Sequence, residues 1–196
     1  MTAQIGDRFK FDKSEFTMVA ISEPLSFDPS KYGITPESVS TACWRGFWCV
    51  YNITDKGIFL EDLYINSKDD YYPEIEGVKP FFEEDRNKRF AYMGHHLYKG
   101  LNIKLDYTGK ILVGDGFIHE YYIHMGYQRA WAYKKLVELV FADGNLIEKN
   151  DHSKVAADIR KKIRNDKDFD QKLHMDIPKF VEDSFSLDYK TKAWWL

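Results

Sequence analysis

Between Thr41 and Ser67 the chain carries two runs of alternating apolar residues, Trp44 to Ile53 and Ile58 to Asn66, separated by Thr54-Asp55-Lys56-Gly57. A period of two puts one set of side chains on one face of an extended strand, and a short polar turn ending in glycine folds two such strands into a hairpin. Gly57 stands where a type I turn followed by a bulge needs positive φ. In the second run Ile58 and Leu60 share one parity while Leu63 and Ile65 share the other, which predicts a β-bulge near Glu61-Asp62. A sheet built on this unit has an apolar face to cover, and the rest of the chain must supply the strands and helices that cover it.

Further strands are legible on both sides. Phe9, Phe11 and Phe16 alternate around Asp12-Lys13-Ser14 and continue to Val19 and Ile21, the pattern of a hairpin. Residues 22 to 38 hold Pro24, Pro29, Gly33 and Pro36, a density of breakers that predicts an ordered loop. Residues 67 to 90 form a polar excursion that ends in the run Glu83-Glu84-Asp85-Arg86-Asn87-Lys88-Arg89; Tyr71, Tyr72, Phe81 and Phe82 give it apolar points. Tyr107 to Ile118 reads as a glycine-interrupted strand. Residues 128 to 142 suit a helix at Trp131, Lys134, Lys135 and Glu138 and a buried strand at Val137, Leu139, Val140 and Phe141. The hairpin turn Asp143-Gly144-Asn145, followed by Leu146-Ile147-Glu148-Lys149, favours strand for the latter half. It also echoes Asp55 to Glu61, a likeness that generic hairpin chemistry explains.

From His152 the period changes to that of helices. Ser153 is placed as an N-cap, and Val155, Ile159 and Ile163 recur every four residues to about Asn165. A second helix is expected from Asp168 and a third after Asp176, with Pro178 in its first turn. The closing Ala193-Trp194-Trp195-Leu196 is expected to dock against the body. With 196 residues, 44% hydrophobic and 16% aromatic, the chain has ample material for a core. The expected architecture is one α+β domain over residues 1–196, β-rich through 151 and helical from 152 on. Its antiparallel hairpins form a curved sheet, sandwich or incomplete barrel, with the C-terminal helices packed on it.

A formal net charge of -3 offers no general attraction for phosphate backbones, so nucleic acid is not an expected partner. The first residues have neither a basic start nor an apolar core, and no run approaches the roughly 18 apolar residues of a membrane helix. A cytoplasmic protein with no membrane association is the expectation. Cys43 and Cys49, if the stretch between them is extended, lie too far apart for a disulfide and read as reduced, buried thiols.

Candidate chemistry centres on histidine: His95-His96, then His119-Glu120 and His124. Histidine is the common metal ligand and the usual acid or base near neutral pH. The spacing opposes both regular geometries, because residues five apart diverge by about 140° on a helix and face opposite sides of a strand. Only a turn between His119 and His124 could converge the rings, and neither a metal nor a cofactor is expected. Gly114-Asp115-Gly116 lacks the third glycine and following helix of a dinucleotide fingerprint, and no phosphate loop or serine elbow occurs. Arg45 among Trp44, Phe47 and Trp48 is a candidate ligand-binding group, since a guanidinium stacked on indoles suits an anionic or aromatic ligand, and the same group equally suits the sealing of a barrel end.

The segments Cys43-Trp44-Arg45-Gly46-Phe47 and His124-Met125-Gly126-Tyr127 resemble an uncharacterised group of small bacterial proteins that carry a Cys-Trp-Arg-Gly-aromatic and a His-Met-Gly-Tyr segment. The resemblance implies a bacterial-type cytosolic protein and assigns no catalytic residue. Two functions are expected. The first is a non-enzymatic module that binds another protein and neutralises a toxin, through an apolar patch rimmed by carboxylates. The second is an enzyme or small-ligand binder with a cleft gathering His95, His96, His119, Glu120, His124 and Arg45.

Overall fold

A computed structural model describes residues 2–82, 94–165 and 177–193. Nine strands form one sheet: β1 Arg8–Phe11, β2 Ser14–Ile21, β3 Phe47–Thr54, β4 Gly57–Ile65, β5 Phe81–Phe82, β6 His96–Lys104, β7 Gly109–Phe117, β8 Tyr133–Ala142 and β9 Asn145–Asp151. Their spatial order is β5-β6-β4-β3-β1-β2-β7-β8-β9. The expected α+β architecture holds, with a strongly curved sheet that does not close into a barrel. All neighbours pair antiparallel except β1 and β3, which run parallel with Arg8 opposite Val50. That parallel pair arises because the loop from residue 22 to 46 carries the chain from β2 across β1 to the far side, and the rest of the sheet is antiparallel as expected.

The β3–β4 hairpin forms as its alternation predicts, with Thr54 opposite Gly57 and the register slipping where Val50 pairs with Asp62 and Tyr51 with Leu60. Glu61 is therefore the bulged residue, and the parity change lets Ile58, Leu60, Leu63 and Ile65 all enter one core. That core fills the concave face from Phe9 and Phe16 through Tyr51 and Tyr98 to Val137, Leu139 and Phe141, and Phe9 stacks on Tyr51 at 5.0 Å between ring centroids. Residues on the other face of β2, β7 and β8, including Val19, Leu112 and Leu136, build a second core. Strands buried on both faces lose their alternation, which is why residues 128 to 142 read ambiguously. A 3-10 turn at Ala130–Ala132 precedes β8, so the latter half is strand as expected.

Sheet curvature brings the two echoing turns together. The Ile58 amide donates to the Gly144 carbonyl and the Gly144 amide to the Tyr107 carbonyl, each at 2.9 Å. A Cβ on Gly144, whose φ is +75°, would stand 2.3 Å from the Leu105 carbonyl oxygen, so only glycine allows this approach. The sheet is thus stitched at this end, while at the other β4 and β6 stay paired up to Ile65 and His96, and β7 and β8 up to Phe117 and Tyr133.

Helix α1 (Ser153–Asn165) lies against β8 and the 130–132 turn, burying Ala156 with Ile159 and Ile163 half-buried. Ser153 is its first residue rather than its cap. The Ser153 hydroxyl accepts from the Leu136 amide of β8, and Asp151 takes the Ser153 amide at 2.8 Å. Helices α2 (Ile177–Phe185) and α3 (Tyr189–Lys192) follow, α2 starting where the sequence places it. The expected helix from Asp168, the charged run 83–89 and the closing Trp194-Trp195-Leu196 lie outside the described residues. No helix among the described residues is long and apolar enough to cross a membrane.

Candidate functional site

The cysteine segment turns before it extends. Gly46 donates its amide to the Cys43 carbonyl, so residues 43–46 form a turn and β3 begins at Phe47 instead of Trp44. Cys43 and Cys49 are both free and buried as expected, although the extended stretch assumed between them covers only its last residues. Burial pushes both thiols up, which leaves neither poised as a nucleophile.

The same turn separates Arg45 from the indoles with which sequence groups it. Arg45 lies over the Phe47 ring, 4.1 Å from its centroid, and donates from Nη2 to Asp7 Oδ1. Trp44 instead stacks on Phe185 at 4.9 Å, and Trp48 is buried with Nε1 donating to the Gly6 carbonyl. Asp7 Oδ1 also accepts the Cys49 amide at 3.0 Å, while its Oδ2 is buried without a partner. The guanidinium is densely surrounded by protein although 42% of the side-chain surface stays open. Burial alone would lower its pKa; Asp7, together with Cys49 and Tyr51 beside it, outweighs that and holds it up. The adjoining hollow, lined by Asp7, Cys43 and Tyr127, measures about 10 Å³, room for no more than one water. Arg45 therefore anchors the start of β1 to β3.

The histidines fall into two places rather than one cleft. His96 opens β6 with His95 just before it, and His119 and His124 follow β7; strands β4, β3, β1 and β2 lie between β6 and β7. The segment between His119 and His124 does turn, through a 3-10 element at His119–Tyr121, yet each ring packs on an aromatic neighbour. His119 meets Phe117 edge-on at 5.3 Å and His124 meets Tyr122 at 4.9 Å, both histidines being exposed. Among the described residues no three of His, Cys, Asp and Glu approach closely enough to hold a metal ion.

At the β6 edge the pattern is different. Tyr72 stacks on His96 with centroids 3.4 Å apart, and Phe82 of β5 leans on the same imidazole at 5.1 Å. The Tyr72 hydroxyl accepts the Ser67 amide, and Tyr98 donates to the Pro73 carbonyl at 2.8 Å, so the excursion is pinned to the sheet. Burial, helped by His95, holds the His96 imidazole below its ordinary range against the pull of Asp70. Tyr71, Phe81 and Phe82 remain 53%, 57% and 52% exposed. The segment around them carries the exposed carboxylates Asp69, Asp70, Glu74 and Glu76 against Lys68 and Lys79.

On the opposite wing, Glu120 borders a groove of about 230 Å³ between the 120–123 segment, Arg129, Trp131 and Ile163 of α1. Arg164 pairs with Glu120 at 3.3 Å, and Arg160 donates to the Trp131 and Tyr133 carbonyls at 2.8 Å each. Their spacing of four, which makes them neighbours on one helix face, is the signal that places them together. In comparisons with known proteins, no family model, no curated protein and no solved structure matches this chain.

Proposed function

We propose that this chain is a non-enzymatic interaction protein that docks another protein on the aromatic patch formed by Tyr71, Phe81 and Phe82. The observation that carries the reading is three large rings left half exposed on the two-residue edge strand β5 and the excursion beside it. Scattered single apolar residues are ordinary on a surface, whereas rings grouped on a sheet edge provide the desolvated centre that dominates binding energy at interfaces. The Tyr72–His96 stack fixes the floor of the patch, so little conformational entropy is lost when a partner docks.

The carboxylates of residues 69–76 outnumber the lysines nearby and favour a partner with a basic rim. A basic bacterial toxin neutralised in the cytoplasm is the form of partner that this charge and the mild overall acidity suit. The test compares affinity enrichment by the wild-type chain with that by a Phe81→Asp/Phe82→Asp variant, both residues being exposed and separable from folding by circular dichroism. The reading requires a basic protein retained by the wild type, lost at least about tenfold in the variant, and bound more weakly at about 0.5 M than 0.1 M salt. Equal enrichment by both chains, or none by the wild type, would defeat it.

A further inference from the structure

The floor of the aromatic patch contains a group that titrates, and we propose that His96 is a pH-sensitive latch: protonation of its imidazole loosens the Tyr72–His96–Phe82 stack and disperses the docking surface. The effect on a partner rests on the protein-docking reading, whereas the latch itself is a property of the free chain. Tyr72 lies against the imidazole at 3.4 Å between centroids, and Phe82 leans on it at 5.1 Å. Phe82 also faces His96 in the β5–β6 pairing, and the Tyr72 hydroxyl accepts the Ser67 amide at 3.0 Å. Displacing the imidazole therefore displaces both the edge strand and the excursion. Three polar atoms of this unit, His96 Nδ1, Asn66 Nδ2 and Ser67 Oγ, are buried without a hydrogen-bond partner among the described residues. Each is a cost that water relieves on opening, and a strand of two residues adds little pairing of its own, so closure is held by a narrow margin.

Protonation acts on that margin through Nδ1. In the neutral ring Nδ1 stands as a bare acceptor, which a dry site tolerates; in the imidazolium it carries a hydrogen with no acceptor to receive it. The titratable groups around it among the described residues are Asp70 and Tyr72 of the excursion and His95 beside it; β4 sets Ile65 opposite His96 and β5 sets Phe82 there, neither of which titrates. Burial opposes the proton most, His95 adds to that, and together they outweigh the pull of Asp70. The stacked form thus holds the proton less tightly than the open form. Closure is favoured fully above the ordinary histidine range and is progressively lost as pH falls through it.

The Ser67 amide reports the latch, because its partner is the Tyr72 hydroxyl and departs with that ring. Its hydrogen exchange is measured at about pH 5 and about pH 7.5, corrected for the intrinsic pH dependence, alongside an NMR titration of His96. In the wild type the Ser67 amide should exchange at least about threefold faster at the lower pH, and His96 should titrate below its midpoint in the urea-unfolded chain. His96→Phe keeps a ring in the stack but cannot titrate, so its Ser67 protection should be the same at both pH values. Asp70→Asn, tolerated at a residue whose φ is +51°, removes an attraction for the proton; it should lower the His96 midpoint by about 0.3 unit, and the onset of Ser67 exchange should follow it down. Equal wild-type protection at both pH values, the same acceleration in His96→Phe, a His96 midpoint at or above that of the unfolded chain, or Ser67 exchange that ignores the midpoint in Asp70→Asn would each overturn the latch. None of these readouts needs a partner. If they fail while Phe81→Asp/Phe82→Asp still loses the enriched protein, the docking reading survives without the latch; if they hold while no protein is enriched, the latch survives without the docking reading.

Discussion

The Asp7–Arg45 pair makes an asymmetric prediction, because its partners differ in burial. Asp7 keeps 1% of its side-chain surface and Arg45 42%. Replacing Arg45 by Gln leaves a carboxylate inside the protein whose Oδ2 has no partner and whose Oδ1 retains only the Cys49 amide. An uncompensated buried charge costs about 3 to 5 kcal/mol, and the amide bond that remains brings the expected loss to the lower end, about 3 kcal/mol. Replacing Asp7 by Asn leaves the opposite charge unpaired, but Arg45 can turn to water, and the new amide oxygen still accepts from Cys49. That loss should be about 1 kcal/mol. The double variant removes both charges and should fall near Asp7→Asn, giving a coupling of about 3 kcal/mol in the cycle. Urea unfolding of the four proteins at pH 7, read by circular dichroism with a common slope, supplies the values. In a chain of this size 3 kcal/mol corresponds to about 6 to 12 °C in Tm. The reasoning is refuted if Asp7→Asn destabilises more than Arg45→Gln, or if the single losses simply add.

Three further perturbations test other parts of the fold. Lys192 is 3% exposed, its amine donating to the Tyr127 and Ser184 carbonyls, and burial lowers its pKa to about 7. Because the folded pKa lies below the unfolded one, the penalty is complete below pH 7 and is relieved as pH rises toward 10; Lys192→Met should abolish that rise and gain about 2 kcal/mol at pH 6, measured from urea midpoints at pH 6 and 9. Tyr189 donates its hydroxyl to Glu138, which also accepts from Lys110 and Asn150. Burial raises the Glu138 pKa, but these donors together depress it, so its stabilisation exists above the unfolded pKa and is lost as pH falls through the folded one. Tyr189→Phe should cost about 1 to 2 kcal/mol at pH 7 and move acid unfolding to higher pH; an unchanged acid midpoint would count against the network. Gly144→Ala should cost about 3 kcal/mol and expose the Ile58 and Leu105 amides to hydrogen exchange, because its Cβ would strike the Leu105 carbonyl.

What sequence reveals here depends on how local the cause is. The bulge at Glu61 is legible from a parity change within nine residues, and the hairpin turns from their own glycines. Strand β6 escapes notice because Gly100 and Asn102 break its alternation, both at positive φ, with Gly100 donating its amide to Asp62 across the sheet. The partner of Arg45 lies 38 residues away, and no pattern near Arg45 points to it. Composition shows the histidines, but only the order of strands shows that two pairs lie on different wings.

Strand β1 is four residues long, yet it occupies the middle of the sheet and joins two meanders, one of β3, β4, β6 and β5 and the other of β2, β7, β8 and β9. Within the meanders β3–β4 and β7–β8–β9 pair neighbouring segments, whereas β1 must wait for Phe47–Thr54, with Arg8 opposite Val50, and β2 for β7, with Thr17 opposite Gly114. The seam therefore belongs to the late, slow part of assembly, since long-range parallel pairing pays its loop-closure entropy before any contact repays it. Until then the apolar inner surfaces of both meanders face water, and crowding or delayed synthesis at that moment exposes the chain to aggregation more than any loss of stability in the finished protein would.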